Sequence, residues 1–191
     1  MTEGLSMSDR LLALDPGLNH AGLAYFEDGF LSSAWTFNPV KQCPDAAGWR
    51  NIAELVAGQL HADNQPGNCR IVYEMPQFIP GWRKGDLNAI LQVAGAAGTI
   101  VARLSPWLDV LGDPIALRPS EWTGGRPKKA NHMRMWGRLT MYEQHKLADA
   151  CQMTMTVLLE CMRNGDEAEL EHMLDAVCIG LKKLDRFDRQ R

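Results

Sequence analysis

The sequence predicts an α/β domain: a five-stranded mixed sheet flanked by helices, with an enlarged helical C-terminal part. Three observations carry this. Apolar runs of strand length come first, at 11–15, 21–26 and 30–37, the last two flanking Asp28-Gly29. Two more, "CRIVYE" and "PIALRP", each follow a stretch with helical spacing. Beyond about residue 131 the remaining periodicity is helical throughout. The order β-β-β-α-β-α-β-α is that of hairpin-linked antiparallel strands followed by strands joined through crossover helices.

Taken in order, "LLALD" (11–15) reads as a buried strand ending in a carboxylate before Pro-Gly. Asp28-Gly29 favours a tight hairpin between 21–26 and 30–37, and period two puts Leu31, Ser33, Trp35 and Phe37 on one face. Pro44 opens a helix to about residue 62, with Trp49, Ile52, Ala53, Val56 and Leu60 at helical spacing. "CRIVYE" is the fourth strand and stops at Met75-Pro76. Asp86 is placed to cap a helix over 87–104, whose "AGAAG" is small enough for close approach to the sheet. "PIALRP" is a short fifth strand; helices are expected from about 131 to 163 and from 166 to 185.

At 191 residues the chain suits a single domain with a proper core, residues 1–9 being a flexible N-terminus. A net charge of −3 excludes a polycation, so nucleic-acid binding would need local clustering. Five scattered cysteines without a Cys-x-x-Cys pair argue against a disulfide framework or structural zinc and for a reducing, cytoplasmic setting. The first ten residues lack the apolar core of a secretory signal. The apolar tract 89–104 is interrupted by Gln92 and reads as too short to cross a membrane.

Three acids fall where chemistry could use them. Asp15 ends the first strand and Glu74 the fourth. If these strands lie parallel and adjacent, about 4.8 Å apart, their carboxylates share one sheet edge, the edge where open α/β sheets bind ligands. Asp175 borders the core-facing stripe of "LEHMLDAVCIGL", one turn from His172 and Glu171, either of which could share its outlook. Singly, an Asp before Pro-Gly is a turn former and a Glu before Met-Pro a solvated strand end; the conjunction carries the inference. Three clustered carboxylates need cations between them, and their hard oxygens suit Mg²⁺ or Mn²⁺. Two such ions, roughly 3.5–4 Å apart, support in-line displacement at phosphorus. In this reading Asp15 bridges, Glu74 and Asp175 flank it, and His172 is a nitrogen ligand or a proton-handling neighbour.

"LALDPGLNHAGLA", "IVYEMP", "LQVAGAAGTIVA", "RPSEWTGGRPKKANHM" and "HMLDAVCIGL", in this order, resemble the RuvC-type Holliday junction resolvases of the RNase H-like superfamily. The resemblance implies an RNase H-like fold, with Asp15, Glu74 and Asp175 on the family's catalytic acids and His172 on its fourth position. It implies Mg²⁺- or Mn²⁺-dependent hydrolysis at a four-way DNA junction by a homodimer matching the junction's symmetry. Two departures stand out. The spacing from Lys129 to His172 is longer than in bacterial RuvC, making 132–169 an added or enlarged helical element. The segment after Glu74 also differs, and together these suggest a phage or mobile-element branch. Other readings are an RNase H-like nuclease acting on RNA–DNA hybrids or structured RNA, and a silent junction-binding protein. An actin-like ATPase would need two such domains.

For DNA contacts, "TGGRPKK" supplies Arg126, Lys128 and Lys129 on a glycine-containing loop suited to phosphates, with Lys128 or Lys129 the counterpart of a family lysine. The loop after Glu74 offers Phe78 and Trp82, followed by Arg83 and Lys84, for stacking on an unpaired base. The tail "KKLDRFDRQR" either touches DNA or frays.

Overall fold

A computed structural model describes residues 10–17, 20–37, 46–62, 69–76, 87–104, 112–165 and 170–188. Five strands, β1 (Arg10–Pro16), β2 (Ala21–Glu27), β3 (Phe30–Phe37), β4 (Arg70–Glu74) and β5 (Ile115–Leu117), form one sheet in the order β3-β2-β1-β4-β5. The first three are antiparallel neighbours, whereas β4 and β5 run parallel to β1. This is the mixed sheet expected from the sequence.

Asp28 and Gly29 both take positive φ, 51° and 81°, as a two-residue primed hairpin turn requires. The hairpin differs from expectation in one respect. The β2–β3 register slips between Tyr25 and Phe26, leaving Ser32 as an extra residue. Leu31, opposite Phe26, therefore packs on one face while Trp35 and Phe37 pack on the other. The bulge reverses the pleat's phase, which uninterrupted period two cannot anticipate.

Alternation along the central strands assigns their faces. Leu12, Leu14, Leu23, Tyr25 and Ile71 meet helices α1 (Ala46–Ala62) and α2 (Leu87–Leu104) through Ile52, Val56, Leu60, Ile100 and Leu104. Leu11, Ala13, Ala24, Phe26 and Val72 face the opposite way, toward the C-terminal helices. With 18 residues and a mean hydropathy of 1.4, α2 is long and apolar enough to cross a membrane, longer than the sequence suggested. It nevertheless buries Ala96, Ala97, Ile100, Val101 and Leu104. A Cβ at Gly98 would meet open space, whereas α7 approaches the sheet closely at Gly22 and Gly180. Asp86, the expected cap, lies outside the described residues.

The C-terminal half is more broken than expected. After α3 (Pro119–Thr123), the predicted helix over 131–163 is three: α4 (Lys128–Trp136), α5 (Met141–Ala150) and α6 (Met155–Asn164). Caps account for the breaks. The Thr140 hydroxyl accepts from Glu143 N at 3.3 Å, while Glu143 Oε2 accepts from Thr140 N at 2.8 Å. Thr154 likewise accepts from Val157 N at 3.3 Å. Such caps start helices rather than continue them. Met135, Leu139, Leu147, Leu158 and Met162 join the same core as Phe26 and Val72. The last helix, α7 (Glu171–Lys183), starts later than expected and crosses that face of the sheet.

Candidate active site at the carboxyl ends of β1 and β4

The pleat places the first two acids. Leu11 and Ala13 point toward α7, so Asp15, two residues on, shares their face; Glu74 shares that of Val72. The parallel register pairs Leu14 with Tyr73, so the next residues, Asp15 and Glu74, end adjacent strands side by side. Trp122 of α3, itself buried, donates its indole N–H to Glu74 Oε2 at 2.6 Å.

Helix α7 brings the rest. Its first turn lies directly on β2 at Gly22, where a Cβ would sit 1.8 Å from the His172 carbonyl oxygen. No other residue permits that approach. There His172 Nδ1 meets Asp15 Oδ2 at 2.6 Å. One turn on, Asp175 is buried and held from α4: His132 Nε2 lies 2.8 Å from Oδ1, and Lys128 Nζ donates to Oδ2 at 2.9 Å. Lys128 also pairs with Glu171. Of the two candidates for the fourth position, His172 thus contacts Asp15, and Glu171 turns to the lysine.

No protein-family model and no curated protein matches the chain. Among solved structures it is similar to RuvC of Thermus thermophilus in complex with a Holliday junction substrate, at 17% identity over 91% of both chains with a TM-score of 0.57. A second Thermus thermophilus RuvC structure aligns over 91% of this chain and 92% of its own, at 17% identity and a TM-score of 0.49. The fold is RuvC-like.

Within this RuvC-like fold the electrostatics are those of crowded acids. Burial, then the Asp15 charge, pushes Glu74 up to about 8. Burial raises Asp15 above the usual carboxylate range, against the pull of His172. For His172 burial acts downward, but the Asp15 hydrogen bond and charge outweigh it and raise its pKa. Burial likewise opposes the Lys128 ammonium, and Asp175 and Glu171 overcome it, holding the lysine charged. Among the described residues no three His, Cys, Asp or Glu side chains form a ready-made metal cage. The donors still fit a hard divalent cation: three carboxylates on neighbouring elements, two of them short of compensating positive charge.

The remaining sequence candidates divide. Arg126 and Lys129 are exposed on either side of Lys128, Arg126 on the loop where Gly124 and Gly125 take φ of 59° and 73° and Lys129 in the first turn of α4. Phe78, Trp82, Arg83 and Lys84 lie outside the described residues. The tail is docked through residue 188: Phe187 is fully buried, and Asp188 accepts from Arg134 at 2.9 Å and pairs with Lys182. Residues 184–188 are thus packed rather than frayed, with Arg134 and Lys182 engaged by Asp188, and residues 189–191 of the tail lie outside the described residues. Sequence reasoning missed Trp122, His132 and His20, whose ring centroid lies 6.0 Å from that of His172. Each sits inside a quoted motif, but only the folded chain aims it at an acid or at His172. The comparisons give no support to a phage or mobile-element branch.

Proposed function

We propose that the protein is a Mg²⁺- or Mn²⁺-dependent endonuclease that nicks branched DNA, four-way junctions above all, as a cytoplasmic homodimer. The observation that carries this is the convergence of Asp15, Glu74 and Asp175 from two parallel strands and one helix on a RuvC-like fold. The solved RuvC of the same fold is bound to a Holliday junction substrate.

Asp15, Glu74 and Asp175, with His172, would hold the cations. Bound, two such ions supply Lewis-acid polarisation of the phosphodiester and activation of water for in-line attack. The protein's own groups do the rest. With Nδ1 held by Asp15, His172 has one nitrogen left, Nε2, which serves either as a cation ligand or as the atom at which a proton is taken up and given back, not as both at once. Trp122 fixes the Glu74 carboxylate. Arg126 and Lys129, exposed at the start of α4, face backbone phosphates, and Phe78 with Trp82, Arg83 and Lys84 engages unpaired bases. The exposed Leu55 of α1 and Leu87 and Leu91 of α2 offer apolar surface for a second copy.

The test is a panel of labelled four-way, three-way, flap, duplex and RNA–DNA hybrid substrates with and without Mg²⁺ or Mn²⁺. Cation-dependent nicking of the four-way junction in preference to duplex is the expected result. Preference for the hybrid would assign the site to an RNase H-like activity, and junction binding with no cleavage under any cation would make the protein a silent binder.

A further inference from the structure

The Asp175 carboxylate is occupied at both oxygens by one helix. Residues 128 and 132 stand one turn apart on α4, and their side chains reach the same acid, His132 at Oδ1 and Lys128 at Oδ2. The two partners differ in what they can do. His132 is fully buried in the core and has no room to leave, whereas the Lys128 side chain is 53% exposed on a long flexible stem. Lys128 also gathers Glu171, so a single ammonium is shared between two carboxylates at the mouth of the site. A divalent cation approaching Oδ2 meets that positive charge at contact distance.

We propose that Lys128 is a displaceable internal cation: it holds Asp175 in the metal-free protein and must swing away for a divalent ion to bind there, while His132 fixes the carboxylate as a positioning residue. The inference rests on the metal-site reading above and adds a coupling to it. Once off Asp175, the tethered ammonium is free for a backbone phosphate. A phosphate that draws Lys128 outward vacates the acid, so DNA and cation each favour the other's binding by the same factor.

The experiment is Mn²⁺ titration of the full chain without DNA, followed by the EPR signal of the free ion, on the wild type, K128M, K129M and D175N. K128M should bind Mn²⁺ about tenfold more tightly than the wild type. K129M should match the wild type, and D175N should lose affinity. K128Q serves in place of K128M if the latter does not fold by circular dichroism. As a second readout, saturating Mn²⁺ should raise the melting temperature of K128M more than that of the wild type. Unchanged or weaker Mn²⁺ affinity in K128M, or equal tightening in K129M, overturns the proposal while D175N still reports a metal site. Absence of Mn²⁺ binding by the wild type and K128M alike at millimolar concentrations overturns the metal-site reading itself, and this inference with it.

Discussion

Asp15, Glu74 and Asp175 are buried or half-buried acids, and each is met by a different donor: His172, Trp122, and the pair His132 and Lys128. If these acids hold the cations, D15N, E74Q and D175N should each reduce junction cleavage on the order of 10³-fold or more. Junction binding, measured by gel shift in Ca²⁺, should survive; retained cleavage in any variant removes that acid from the site. Glu74 also makes a prediction about stability. Its folded pKa of about 8 lies above the ordinary value of 4.5. Between those values the unfolded chain loses its proton while the folded chain keeps it, so stability falls as pH rises and the loss is complete above pH 8. Removing the charge should reverse this. In EDTA, E74Q should be more stable than the wild type by roughly 1–3 kcal/mol at pH 8.5, after allowance for partial exposure, and nearly equal at pH 4.5. Equal pH profiles in urea denaturation would show that Glu74 ionises freely.

At the scale of elements, two contacts set the site's geometry. One is α7 lying on β2 without an intervening side chain. G22A places a methyl group into the His172 backbone, and either the helix lifts or the strand shifts. Such overpacking should cost about 3 kcal/mol, read by thermal unfolding, and displace His172 from Asp15. The other joins α5 to the hairpin and tail. Glu143 is fully buried; its Oε1 accepts from Leu31 N at 2.7 Å, and Arg186 donates to both its oxygens at 2.7 and 2.8 Å. Burial alone would raise the Glu143 pKa, but Arg186 and the backbone donors prevail and lower it. Its contribution is therefore present above the ordinary glutamate pKa and lost on acidification through the lowered value. Removing one partner of such a pair strands the other, so R186Q should destabilise by about 3 kcal/mol at pH 7. A double-mutant cycle with E143Q should recover part of that loss; strictly additive effects would deny the coupling.

For the whole molecule, the sheet divides the core into two layers, α1 and α2 behind it and α3 to α7 on the site's side. The back layer leaves Leu55, Leu87 and Leu91 between 45% and 61% exposed, a large apolar investment for one folded copy. If they face a second copy, L87E combined with L91E should convert a dimer to a monomer by light scattering and leave the melting of the monomer within about 0.5 kcal/mol of its parent. A wild type already monomeric at tens of micromolar would exclude this surface as the dimer contact.

Five strands and their directions were legible in the sequence because apolar runs, turn residues and helical spacing are local signals. The same holds for Asp15 and Glu74, whose positions at strand ends follow from counting. What the reading missed was of two kinds, local and non-local. The bulge at Ser32 redirects Leu31, and the Thr140 and Thr154 caps divide one apparent helix into three, a signal present in the chain but overridden by apolar periodicity. Above all, the closing of Lys128 and His132 from α4 on Asp175 spans more than forty residues of chain. By itself the sequence determined the five strands and which acids stand at their ends, since backbone geometry and hydrophobic patterning act over a few residues. Only the tertiary structure decided which donor meets which acid, since a buried carboxylate takes whatever positive or N–H group packing brings within hydrogen-bond reach.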